Sequence, residues 1–162
     1  MIRLLILGAV LAAPSASVQT CPGTGGWLAL PNKVDLSDIA CYWVSDYASS
    51  WDAASHACKQ MSTANHPVEL ASIHSMWENA FVFDNVTNKH TAWLGLNKRE
   101  QDDWHWEDKT REDFQFWLAE FPVDNDMECA TFTDQLNSRC GEWVNADCAT
   151  NLYFVCKTPA AA

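Results

Sequence analysis

Seven cysteines, Cys21, Cys41, Cys58, Cys129, Cys140, Cys148 and Cys156, restrict what this chain can fold into more than any other feature. Whether they are cross-links depends on the compartment, and the N-terminus answers that. Met1, Ile2 and Arg3 precede an apolar run over 4–13, followed by Pro14 and the small residues Ser15, Ala16 and Ser17. Ten apolar residues are about half of what a bilayer core requires, so residues 1–17 read as a signal peptide rather than a membrane span or a retained anchor. A secreted chain passes through an oxidising compartment, so the cysteines read as a disulfide framework. No C-x-x-C pair occurs and His56 alone lies near a cysteine, which argues against zinc. The odd count leaves one thiol over, and connectivity stays open at this level.

Residues 18–162 have the size of one domain, uninterrupted by a linker, a repeat or a transmembrane segment. Nine Trp and seven Phe supply much of the apolar area of a core. Acids outnumber bases by 21 to 10, which excludes nucleic acid and anionic membrane surfaces as partners, since phosphate needs clustered cations. From Glu100 to Glu128 eleven acids face only Lys109 and Arg111. Such a run is either a solvated face or a region that concentrates divalent cations.

In "SSWDAASHACKQM", Ser49 precedes Asp52 by three, and Trp51, Ala54, Cys58 and Met61 recur at helical spacing. The pattern predicts a helix over 50–61 with Cys58 on its buried face. Ser75 and Glu78 repeat the capping signal and predict a second helix over 75–84. "ACYWVSDY", "TAWLGL", "WHWED", "CATFT", "GEWVNA" and "LYFVCK" are short, aromatic and β-branched, and read as strands. One strand, two helices and then several strands around a long polar loop over 107–128 make an α+β domain. Asn85-Val86-Thr87 is an N-glycosylation sequon in the polar connection after the second helix.

The order of "CYWVS", "SWDAASHAC", "LASIHS" with "ENAFV", "WLGL", "WHWED", "FQFW", "CATF", "GEW", a Cys five residues after that Trp, and "YFVCK" resembles the C-type lectin-like domain family from Cys21 to Cys156. The resemblance implies a disulfide-stapled fold of two helices flanking small antiparallel sheets. Its termini lie close together and a long loop projects from it. The domain core would span 41–157, with an N-terminal extension over 18–40. The family pattern also implies the pairs Cys21–Cys41, Cys58–Cys156 and Cys129–Cys148, with Cys140 unassigned. Closing the long Cys58–Cys156 loop is worth about 4–5 kcal/mol in the loop-entropy picture.

Sugar-binding members of that family hold calcium with a Glu-Pro-Asn or Gln-Pro-Asp triplet, a Glu near the following Cys and an Asn-Asp pair. A hard cation needs six to eight such oxygens. Here the triplet position reads Phe121, Pro122, Val123, and neither a phenyl ring nor an isopropyl group coordinates calcium. Val144 and Asn145 stand at the Asn-Asp pair, which leaves Asn145 as a surviving donor, and Glu128 is displaced one residue toward Cys129. Lys98 and Arg99 occupy positions of the accessory site where acids would serve, with Asp102 and Asp103 as remaining donors. The candidate ligand-binding residues are Glu120, Phe121, Asp124, Asn125, Asp126, Glu128, Asn145 and Asp147, and the candidate metal ligands are Asp124, Asp126, Glu128 and Asn145. No cofactor is required by this set; calcium stays open as the occupant of a rearranged acidic site.

Catalysis finds no motif: the five His are scattered, and G-x-S-x-G and H-E-x-x-H are absent. His56 and His74 read as structural. Trp51, Trp93, Trp104, Trp106 and Trp143 fall at core positions of the resembled family, while Trp77 is free to be exposed. Cys140 sits in the polar turn "LNSRCGE", where an interchain disulfide is preferred over a free thiol. The expectation is a secreted, extracellular, non-enzymatic recognition module. It would bind a protein or other ligand through the 107–128 loop and the 139–147 turn, without family-type calcium coordination. A calcium-dependent, glycan-binding lectin is the alternative. An ice-binding derivative is a third reading, which an acidic loop does not favour.

Overall fold

A computed structural model describes residues 20–23, 25–31, 39–133 and 141–160. The expected signal peptide, residues 1–17, and Cys140 lie outside the described residues. In chain order the elements are β1 (Leu28–Pro31), β2 (Ile39–Val44), α1 (Trp51–Gln60), β3 (Glu69–Leu70), α2 (Met76–Phe81) and a single π-helical turn, Val82–Val86. Then follow β4 (Ala92–Asn97), β5 (His105–Trp106), β6 (Cys129–Phe132), β7 (Trp143–Ala146) and β8 (Tyr153–Pro159). The strands run β1-β2-β8-β4-β6-β7, with β3 against β8 and β5 against β4. Every pairing is antiparallel except β4 with β8. This is the expected α+β architecture.

Helix α1 buries Trp51, Ala54 and Cys58 of the expected stripe, and Ser55 beside them, while Met61 is the C-cap and only half-buried. Its cap is shifted from the expected Ser49 to Ser50, whose Oγ accepts from the Ala53 N–H. Ser49 is held extended by two backbone bonds to Leu152, so the helix cannot begin there. In α2, Ser75 Oγ accepts from the Glu78 N–H as expected, but Glu78 does not return the bond. Its carboxylate turns inward and accepts from the Tyr42 hydroxyl, Lys157 Nζ at 2.7 Å and the His74 N–H at 2.7 Å.

The second helix was expected to run to 84, yet its α-helical part ends at Phe81. Asn85 Nδ2 donates to the Phe81 carbonyl and Thr87 Oγ1 to that of Phe83, while the Thr87 N–H reaches Val82. Side chains that compete for helix carbonyls widen the turn. Strand β3, only two residues long, has no pattern of its own. It exists by pairing with β8, Glu69 opposite Lys157 and Leu70 opposite Cys156, and Gly95 lets β4 pass close to it: a Cβ there would lie 2.8 Å from the Leu70 carbonyl oxygen.

Trp93, Trp106 and Trp143 are fully buried, and Trp51 nearly so. Trp104, expected in the core, is half-buried and packs edge-on against Trp117 at 4.8 Å between ring centroids. Trp77 is 49% exposed. Disulfides join Cys21–Cys41, Cys58–Cys156 and Cys129–Cys148. The second ties α1 to β8, and β2 pairs with β8 over its length, so the two ends of the domain meet.

Candidate functional site

The loop after Trp117 is carried by β7. Trp117 bridges to Trp143, and the Leu118 N–H bonds the Trp143 carbonyl at 2.9 Å. The chain then turns through Glu120, at a φ of 72°, and the cis Phe121–Pro122 peptide. From there it wraps around one side chain. Asn145 stands in β7 opposite Ala130 and is 4% exposed. Its Oδ1 accepts from the Val123 N–H at 2.9 Å. Its Nδ2 faces the carbonyls of Val123 (2.9 Å) and Met127 (3.0 Å) and Asn125 Oδ1 (3.2 Å). Asn125 Oδ1 also accepts from the Met127 N–H. The carboxamide works because the loop presents both a donor and several acceptors, and an amide meets them with a separate acceptor oxygen and a nitrogen that carries two donor hydrogens.

The sequence-predicted residues therefore divide. Asn145 and Asn125 are spent inside the loop, as its internal brace. Phe121 is half-buried, and Glu120 and Asp124 are exposed. Asp126, Glu128 and Asp147 come together with Asp52, Ser50 and Arg99 around a hollow of about 360 Å³. In that hollow Arg99 donates to Asp52 at 2.5 Å, so a guanidinium already contributes the positive charge among these acids. Among the described residues no three His, Cys, Asp or Glu side chains are grouped to hold a metal ion. Asn145, expected as a surviving calcium donor, turns its oxygen to the Val123 N–H, so in this arrangement that oxygen is already engaged within the loop.

A second constellation was not visible in the sequence. His74 Nδ1 lies 2.8 Å from Asp113 Oδ1, and its Nε2 lies 3.0 Å from Ser72 Oγ. Ser72 in turn donates to Asp108 at 2.5 Å. An aspartate, a histidine and a serine in line suggest an activated nucleophile. Ser72, however, has no exposed surface and gives its proton to Asp108 rather than to the imidazole. The chain instead tethers the 107–113 segment to the start of α2. Asp113 is held below the usual aspartate range, chiefly by the hydrogen bond from His74. His74 is thus structural, as expected, while exposed His56 contacts only Gln60 four residues on. Separations of 36 and 39 residues leave no local signal for such contacts.

Comparison with known proteins gives the same answer as the geometry. The family model described as Lectin C-type domain matches residues 47–158. Lectin BRA-3 of Megabalanus rosa is 30% identical over 161 residues, covering 98% of this chain and 91% of its own length. Snaclec B9 of Macrovipera lebetinus is 32% identical over 142 residues, covering 85% and 87%. Among solved structures, a calcium-independent type II antifreeze protein superposes with a TM-score of 0.73 at 24% identity over 90% of this chain and 99% of that one, a likeness of fold alone. With its sheet order, its three disulfides and a loop carried on β7, the chain belongs to the C-type lectin-like domain family.

Proposed function

We propose that this chain is an extracellular, non-catalytic recognition module whose ligand is bound by the 117–128 loop without a bridging calcium ion. The observation that carries this reading is the Asn145 carboxamide, which braces the loop from within at Val123, Asn125 and Met127. A loop ordered by its own amide needs no cation to set its shape, and Arg99 supplies positive charge to the neighbouring hollow. Exposed Val123 and Met127, with half-buried Phe121 between the acids, offer an apolar contact surface rimmed by charge. Secretion through a signal peptide over 1–17, a domain over 18–162, a glycan on exposed Asn85 and a disulfide-linked dimer through Cys140 belong to the same reading. Among the described residues no helix is long and apolar enough to cross a membrane.

Carbohydrate binding through a rearranged acidic site is the second reading. It is favoured by Asp126, Glu128 and Asp147 sharing one hollow and by the relative named a lectin. Calcium titration by calorimetry separates the two. The first reading expects no saturable heat at millimolar calcium, whereas heat that disappears in Asp124→Ala or Asp126→Ala establishes the second. A glycan array run with and without chelator then reads the ligand class. Non-reducing electrophoresis of Cys140→Ser tests the dimer.

A further inference from the structure

On a part of the molecule that shares no lining residue with the 117–128 loop, a half-open cleft of about 850 Å³ lies between β2, the end of β8, the start of α2 and the 108–110 segment. Its size is that of a ligand site. Leu30, Ile39, Ala40, Pro67 and Pro159 make its walls apolar, and Trp77 stands among its lining residues with half of its surface open.

The charges in this cleft do not balance. Lys157 is fully engaged: its ammonium donates to Glu78 Oε1 at 2.7 Å, the Ser72 carbonyl at 2.9 Å and Ser72 Oγ at 3.2 Å. Glu78 is satisfied by that lysine, the Tyr42 hydroxyl and the His74 N–H, so this pair is closed on itself. Glu69 and Asp108 are different. Asp108 accepts from neutral donors only, Ser72 and Thr110. Glu69 has no hydrogen bond or ion pair among the described residues: Lys157 stands opposite it in the β3–β8 pairing but is spent on Glu78 and Ser72, and Lys59 and Lys109 act on it only at longer range, with Lys59 itself bound to Glu107. Burial, and then the charges of Glu107 and Asp108, hold its carboxyl above the usual glutamate range. Two carboxylates that bind no cation directly among the described residues, a half-exposed indole and aliphatic walls match a guanidinium or ammonium on an apolar stem, which pairs with the acids, packs its methylenes and lies along the ring. A bare metal ion would find too few ligands and no use for the walls. A sugar needs free donors as well as acceptors, and the lysine and threonine donors here are taken.

We propose that the cleft between β2, β8 and α2 docks an arginine or lysine side chain of a partner polypeptide, its charge against Glu69 and Asp108 and its stem along Trp77.

Calorimetry on the full secreted chain at low salt tests it. The probe is a capped pentapeptide carrying two arginines, compared with the same peptide carrying citrulline. Saturable binding is expected for the arginine peptide and about tenfold weaker binding for the citrulline one, as loss of the charge removes the pairing. Glu69→Gln and Trp77→Ala should each weaken the arginine peptide by about tenfold, while Asp46→Asn, which removes one exposed charge outside both sites, should leave it unchanged. Circular dichroism and thermal melts confirm that the variants fold. Equal binding of both peptides, or equal losses in Glu69→Gln and Asp46→Asn, overturns the proposal, because either result means attraction to net charge only. Spermidine binding as tightly as the peptide, or saturable binding of a methyl glycoside lost in Trp77→Ala, overturns the polypeptide assignment.

Discussion

At Asn145 one carboxamide serves four groups of the loop, so Asn145→Ala strands the Val123 N–H and the carbonyls of Val123 and Met127 in partly buried positions. Each unpaired buried group costs about 1–3 kcal/mol, and because this loop borders solvent the expected total is about 2 kcal/mol in urea unfolding. A loss within error of zero would mean that water takes over the brace. Glu69 makes the opposite prediction. Its carboxyl is raised by burial and by Glu107 and Asp108, so the folded chain holds this proton more tightly than the unfolded one. Stability is therefore fully present below the ordinary glutamate range and falls as pH rises through the raised value. Glu69→Gln should melt higher than the parent at neutral pH, and the gap should close in acid. A gap that persists in acid would assign the gain to packing instead. A residue that costs stability where it stands and points at a cleft is what a binding role predicts.

Among the elements, the 107–113 segment is neither strand nor helix and is held by side chains, Glu107 to Ser55 and Lys59 of α1, Asp108 to Ser72, and, at its far end, Asp113 to His74. The depressed Asp113 carboxyl contributes stability above the ordinary aspartate range, and that contribution is lost as pH falls through its lowered value. Asp113→Asn should therefore speed amide hydrogen exchange over 107–113 at neutral pH while leaving β4 and β6 protected. Asp113 is more than half exposed, so the global melting temperature should barely move. Loss of protection across the sheet would show instead that the segment folds as one unit with the core.

For the whole molecule, the Cys58–Cys156 bond closes a separation of 98 residues and joins the first helix to the last strand. Removing it as Cys58→Ala with Cys156→Ala should cost about 4–5 kcal/mol, most of the stability of a small domain. Unfolding near body temperature, read by circular dichroism, is the expected result; a melt unchanged within a few degrees would assign the closure to the β2–β8 pairing. Much of this molecule was legible before any coordinates. The helical positions Trp51, Ala54 and Cys58, the strands around Trp93 and Trp143, and the cap at Ser75 are local patterns, and local patterns follow from side-chain periodicity. Disulfide pairing was legible only through the family resemblance, because spacing alone leaves connectivity open. The site was half legible: the resemblance leads one to expect apolar Phe121 and Val123 where oxygen donors would stand, yet an asparagine looks the same whether it ligates an ion or braces a loop. That the Asn145 oxygen faces Val123, that Glu78 abandons its cap for Tyr42 and Lys157, and that Glu69 and Asp108 share one cleft are decisions of tertiary structure. The physical reason is shared: hydrogen bonds and charges act between neighbours in space, and the fold makes neighbours of residues that the sequence keeps dozens of positions apart.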